Sequence, residues 1–234
     1  MNNFKFQLCD KTKENEISKF NSNNFKANIK YDGERILAIK KGDEISLINR
    51  RGRLKNTFYI EIADELLKLS GDFIFDGEII STDDNFNKLQ SRALTTDIHK
   101  QIEARNRTPV LYMVFDILEL DNQDLRGLKL SDRLDKLVNL LNENFANLKN
   151  VLMADYGEIK DILARAHREN REGIIIKDMN STYTGKRESW FKLKFFKFEV
   201  IRIIQYTDNN AGIRGEDKLK NAVQIAGYHS KQVK

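Results

Sequence analysis

Four short β-type runs carry charged side chains at alternate positions, and this pattern restricts the chain more than any other feature. They are Lys30-Tyr31-Asp32-Gly33-Glu34-Arg35, Phe75-Asp76-Gly77-Glu78-Ile79, Glu172-Gly173-Ile174-Ile175-Ile176-Lys177 and Trp190-Phe191-Lys192-Leu193-Lys194. In an extended segment the side-chain period is two. Lys30 then shares a face with Asp32, Asp76 with Glu78, and Trp190 with Lys192 and Lys194. Taken singly, each run is equally a strand with a solvated outer face, and the first is equally a hairpin closed by an Asp-Gly turn. All four in this order point to sheets whose charged faces meet at one pocket.

The residue types suit chemistry on a phosphate ester. A lysine is a nucleophile only when neutral, so Lys30 needs desolvation or neighbouring cations. Lys192 and Lys194, aimed into the same pocket, would grip a phosphate and favour the neutral form of a third lysine. Asp76 and Glu78 could bind a ribose or a metal, and Glu172 adds a third carboxylate. Gly33 allows the backbone to turn so that Arg35 returns toward the pocket.

The rest of the chain supports an α+β class in which antiparallel strands are interspersed with helices. Residues 26–49 alternate around Asp32-Gly33 and Lys41-Gly42-Asp43, which predicts antiparallel strands. Helices are predicted near Lys13–Phe20, over Ile60–Leu69 with Gly71 as C-cap, over His99–Arg107, over Ser131–Leu141 capped by Ser131, and over Ile159–Asn170. Strands are predicted at Val110–Leu118, Gly173–Lys177 and Trp190–Phe198. Beyond Phe198 the pattern is strand, Gly/Asp/Asn loop, strand: EVIRIIQY, then NAVQIAGY.

Composition narrows the function classes. With 40% hydrophobic residues in 234, a sizeable core is available and disorder is excluded as the main state. The net charge of +5 is spread along the chain and permits a nucleic-acid partner without demanding one. A single cysteine, Cys9, excludes an internal disulfide and a multi-cysteine zinc site, and the three histidines lie far apart. No apolar run suggests a secretory leader or a membrane span, so an intracellular, cytoplasmic protein without membrane contact is expected.

Together these segments resemble the covalent nucleotidyltransferases and, within them, the ATP-dependent DNA ligases. KYDGER resembles nucleotidyl motif I (KxDGxR), FDGEI motif III, VFDIL (Val114–Leu118) motif IIIa, EGIIIK motif IV and WFKLK motif V. Asn49-Arg50-Arg51-Gly52 is similar to motif Ia, and FNKLQSR (Phe86–Arg92) and DLRGLKLSDR (Asp124–Arg133) also resemble DNA ligase sequence. The likeness runs from about Phe6 to the C-terminus.

The resemblance implies an ATP-grasp-like nucleotidyltransferase domain over residues 1–195 and the start of an OB-fold over 196–234. Only two of its five strands are expected there, with no final basic motif VI. It implies that Lys30 takes AMP from ATP and passes it to nicked double-stranded DNA, acting as a monomer. Asp32 would assist, Lys192 and Lys194 would hold the α-phosphate, and Arg50 the 5′-phosphate at the nick. Arg35 and Glu78 would hold the ribose and Phe115 would stack on adenine. Asn28, Ile29, Ile174 and Lys177 complete the nucleotide-binding set, with Asn28 standing where the family usually has a glutamate. Glu172, with Glu78, would bind magnesium or manganese. RNA ligases and mRNA-capping guanylyltransferases share these motifs, and a nick- or nucleotide-binding module is a further reading. The DLRGLKLSDR stretch and the EGIIIK form of motif IV favour DNA ligase.

Overall fold

The segment Lys30–Gly33 does not close a hairpin; it carries the chain from one sheet to another. In the computed structural model, β2 (Phe25–Ile29) belongs to a four-stranded sheet and β3 (Glu34–Lys41) to a larger one. The structure describes residues 5–95, 97–144 and 148–195, together with three strands between 202 and 225. The chain divides into two units, 1–195 and 196–234.

In the first unit the small sheet has the order β1-β10-β9-β2, with β1 at Leu8–Lys11, β9 at Gly173–Asp178 and β10 at Arg187–Lys194. Strands β10, β9 and β2 run antiparallel, and β1 joins β10 in parallel. The Ile-rich run of β9 feeds both faces. Ile174 and Ile176, with Ala27, Ile29 and Leu193, bury against Ile159, Ile162 and Ala166 of a helix at Ile159–Arg168. The alternate residues face the other way, as the pleat requires.

The large sheet has the order β4-β3-β5-β6-β7, with β4 at Glu44–Asn49, β5 at Phe73–Ser81, β6 at Val110–Leu120 and β7 at Gln123–Asp124; β8 (Val151–Met153) pairs with β6 in parallel. One face, with Ile36, Leu47, Phe75 and Val114, packs on α1 (Ile60–Leu67) and α4 (Leu130–Glu143) through Ile62, Leu66, Leu134 and Leu137. The opposite face presents Leu37, Ile74, Phe115 and Leu118 to Trp190 and Tyr183. Phe115 owes this direction to a bulge. Asp76 pairs with Asp116 but Gly77 with Val114, so Phe115 is the extra residue on β6, and bulges of this kind re-aim side chains.

The α+β expectation holds, with several local corrections. The helix expected near Lys13–Phe20 is a 3-10 helix over Glu14–Lys19 and not an α-helix. Helix α1 ends at Leu67, and Gly71 lies beyond it in a turn at φ 76° against the Asp121 carboxylate. Ser131 does not cap α4; it sits inside the first turn. The Leu130 and Ser131 N–H groups donate to the Ser181 and Met179 carbonyls at 2.9 and 3.0 Å, so a neighbouring loop does the capping. Helix α2 (Phe86–Leu94) had no expected counterpart; Asn85 caps it by accepting from the Lys88 N–H. Helix α3 covers Ile98–Arg107, and the helix at Ile159–Arg168 is α5.

In the second unit β11 (Arg202–Tyr206), β12 (Ile213–Glu216) and β13 (Ala222–Ile225) form an antiparallel meander. Strand β12 lies where a Gly/Asp/Asn loop was expected. The expected strand residues Phe196–Phe198, Glu199–Ile201, Asn221 and Ala226–Tyr228 lie outside the described residues.

Candidate active site

Lys30 continues the ladder of β2 by donating its backbone N–H to the Gly173 carbonyl at 2.9 Å. Its side chain pairs with one carboxylate oxygen of Glu172, and Lys194 pairs with the other. Burial alone would raise the Glu172 carboxyl, but the ammonium groups of Lys194 and Lys30 prevail and hold it below its ordinary range. Two glycines allow this approach. A Cβ on Gly33 would stand 2.1 Å from the Ile79 carbonyl oxygen, and one on Gly173, at φ 151°, 2.0 Å from that of Leu193. The Asp-Gly and Glu-Gly pairs are therefore close-packing requirements.

A cleft of about 290 Å³ opens beside Lys30. Its floor is the face of the small sheet that points away from α5. The register pairs Asn28 with Ile175, Ile175 with Lys192, and Lys177 with Trp190, which sets all five side chains on one face. Lys177 is 1% exposed. Its ammonium lies 3.8 Å from the Trp190 ring centre and 4.4 Å from that of Phe115. It donates to the Tyr156 hydroxyl at 2.5 Å, which in turn donates to the Phe115 carbonyl at 2.7 Å. Burial pulls Lys177 down to about 7. Asn28, also buried, donates from Nδ2 to the Ile29 carbonyl at 2.7 Å, and its Oδ1 has no partner among the described residues.

The facing wall comes from the large sheet. Arg35 and Glu78 are cross-strand partners on β3 and β5, and both line the cleft. Arg35 grips Asp76 with two parallel bonds of 2.9 and 2.6 Å and donates from Nη1 to the Gln7 carbonyl at 2.7 Å. Burial pushes the Glu78 carboxyl up to about 8 against the pull of Arg35 and Lys30. Arg50 follows β4, lines the cleft and forms no ion pair among the described residues. Asp32 stands near Glu172, and burial together with that carboxylate raises it.

Most of the expected side chains thus converge. Lys30, Asn28, Ile29, Arg35, Arg50, Glu78, Phe115, Lys177, Lys192 and Lys194 line one cleft, and Glu172 is anchored to two of them. Ile174 instead turns into the core beneath α5, and its neighbour Ile175 lines the cleft. The Ile29 side chain also joins that core. Leu8, Cys9 and Arg187 line the cleft and had not been expected there. The pairing of β1 with β10 brings them in, and no local pattern signals a parallel contact over such a separation.

Comparison with known proteins shows the family of the chain. The family model described as the ATP dependent DNA ligase domain matches residues 6–194, and the chain belongs to that family. It is 29% identical over 197 residues to a DNA ligase of Monkeypox virus, covering 80% of this chain and 34% of the other. It is 30% identical over 178 residues to a DNA ligase of Acidianus ambivalens, covering 71% and 29%. The chain thus spans about a third of the length of these relatives. Its fold is similar to a mycobacterial DNA ligase D complexed with ATP and MES (TM-score 0.64, 21% identity, 90% of this chain and 67% of that one). It is also similar to a Chlorella virus DNA ligase-adenylate (TM-score 0.57, 20% identity, 97% and 84%).

Proposed function

We propose that this chain carries the nucleotidyl-transfer chemistry of an ATP-dependent DNA ligase, with Lys30 as the nucleophile. The observation that carries the reading is Lys30 lining the cleft, on the crossing between two sheets, with Lys192 and Lys194 lining the same cleft from β10, one strand beyond β9. Lys30 Nζ, once it has lost a proton, attacks the α-phosphorus of ATP; a P–N bond forms and pyrophosphate leaves. Lys192 and Lys194 bind the α-phosphate oxygens and offset the charge that builds on them. The adenylyl group then passes to a 5′-phosphate at a nick in duplex DNA, held by Arg50, and the P–N bond breaks. Attack by the 3′-hydroxyl joins the strand and releases AMP.

The base fits the floor of the cleft. Phe115 stacks on it, and the unpartnered Asn28 Oδ1 accepts from an exocyclic amine. Arg35 and Glu78 hold the ribose.

Glu78 and Glu172 fit a magnesium ion. They are hard oxygen donors close enough for Glu172 to add to the rise in Glu78, and magnesium commonly takes one or two carboxylates plus substrate phosphates. Among the described residues no group of three potential metal ligands exists, so the phosphates would complete the shell. When bound, the ion would neutralise phosphate charge during displacement.

The test is incubation with α-labelled ATP and magnesium followed by a denaturing gel. One covalent label that vanishes in Lys30→Ala supports the reading, and equal labelling by GTP would move it toward a capping enzyme. Sealing of a nicked duplex, against a nicked RNA control, decides the acceptor.

A further inference from the structure

Gln7 has no part in the chemistry described so far, yet it is fully buried beside the cleft. All four hydrogen-bonding positions of its amide are used. Oε1 accepts from the backbone N–H groups of Thr184 and Gly185, both at 2.9 Å. Nε2 donates to the carbonyls of Lys186 and Glu188 at 2.7 and 3.0 Å. Its main chain is committed as well. The N–H donates to the Tyr183 hydroxyl at 2.9 Å, and the carbonyl accepts from Arg35 Nη1 at 2.7 Å. The Tyr183 hydroxyl donates to Asp76 Oδ2 at 2.7 Å, the oxygen that also accepts from Arg35 Nη2.

These bonds close a ring: Gln7, Tyr183, Asp76, Arg35 and back to Gln7. We propose that Gln7 is a positioning residue of the nucleotide site, fixing the guanidinium plane of Arg35 through its own carbonyl and through Tyr183 and Asp76. A guanidinium has five N–H donors, and three are occupied here, by Asp76 twice and by Gln7. The remaining two are left for whatever enters the cleft that Arg35 lines. With the Gln7 carbonyl displaced, Asp76 still bonds the Nε–Nη2 edge and the rings of Phe6, Phe115 and Trp190 still flank the group, but Nη1 loses its hydrogen-bonded anchor. The four side-chain bonds, with the Leu8 N–H donated to the Lys186 carbonyl at 3.2 Å, hold that carbonyl, because they lock residue 7 to residues 184–188 at the start of β10. A pre-oriented donor costs less ordering on binding, so the effect belongs to affinity.

The inference rests on the reading of Arg35 as a nucleotide-binding group, and the experiment separates the two. Lysyl-adenylate formation is followed with α-labelled ATP in the wild type, Gln7→Ala, Tyr183→Phe, Arg35→Lys and the Gln7→Ala/Arg35→Lys double variant. Gln7→Ala is expected to raise KM for ATP about tenfold while kcat changes less than about twofold. Tyr183→Phe, which keeps the volume and the fold, is expected to raise KM about threefold. The double variant should be no worse than Arg35→Lys alone, since the two residues act as one unit. An unchanged KM in both Gln7→Ala and Tyr183→Phe, with only the melting temperature lowered, would overturn the proposal. So would additive effects in the double variant. If Gln7→Ala does not fold, Tyr183→Phe decides; if no adenylate forms in any protein, the Kd for ATP by calorimetry replaces KM and is expected to shift by the same factors. The ribose role of Arg35 is judged separately, because Arg35→Lys should then lose the wild-type preference for ATP over 2′,3′-dideoxyATP.

Discussion

Lys177 holds its ammonium 3.8 Å from the centre of the Trp190 ring, at the floor of the cleft and almost out of reach of water. Burial lowers it to about 7, against about 10.4 for a free lysine. Between those values the unfolded chain binds one more proton than the folded one at this site. Stability contributed by Lys177 therefore rises as pH climbs from about 7 to about 10, and its full cost is present below 7. Glu78, pushed up to about 8, works in the opposite sense between about 4.5 and 8, so the comparison must be differential. Denaturation of wild type and Lys177→Met across pH 6–10 should show the variant gaining most at the acid end, with the gap closing toward pH 10. A constant gap would mean that Lys177 does not titrate in this window.

Asp116 and Arg133 make a second, fully buried pair with two bonds of 2.7 Å. They tie VFDIL to DLRGLKLSDR across 17 positions of the chain. Removing one partner strands a charge, so Asp116→Ala should cost about 3–5 kcal/mol in denaturant unfolding. An Asp116→Leu/Arg133→Met double variant should recover most of that loss.

Gly33 and Gly173 admit no side chain. Gly173→Ala places a methyl 2.0 Å from the Leu193 carbonyl oxygen at a backbone angle that favours glycine, and Gly33→Ala meets that of Ile79 at 2.1 Å. Each should lose about 2–4 kcal/mol of stability and most adenylylation, measured by thermal melting and labelling. Full activity in either variant would show that the strands separate freely there.

Trp190 is the chain's single tryptophan, and its ring meets Phe115 edge-on at 5.9 Å between centroids. Titration with ATP should change its emission, and Phe115→Ala should weaken the ATP affinity by about tenfold or more. Unaltered emission at saturating ATP would place the base elsewhere.

Much of this site was legible in the sequence because strands have a strict period of two. Lys192, Lys194 and Trp190 share a face for that reason alone, and the order of the charged runs did the rest. The same rule could not orient Phe115, since one inserted residue on β6 breaks the alternation there. It also could not separate Ile174 from Ile175, because β9 is apolar on both faces. The Asp32-Gly33 pair read locally as a turn, whereas the packing of Gly33 on β5 makes it a crossing between sheets. Gln7 left no signal, as its importance comes from a loop that lies far along the chain.

The proposed chemistry stands or falls with covalent adenylylation of Lys30. Intact-mass measurement after incubation with ATP and magnesium, followed by peptide mapping, is the decisive experiment. One AMP per chain is expected, carried on the peptide that contains Lys30 and absent from Lys30→Ala. An adduct of the same stoichiometry on the Lys30→Ala protein, or one mapped to Lys192 or Lys194, would contradict it.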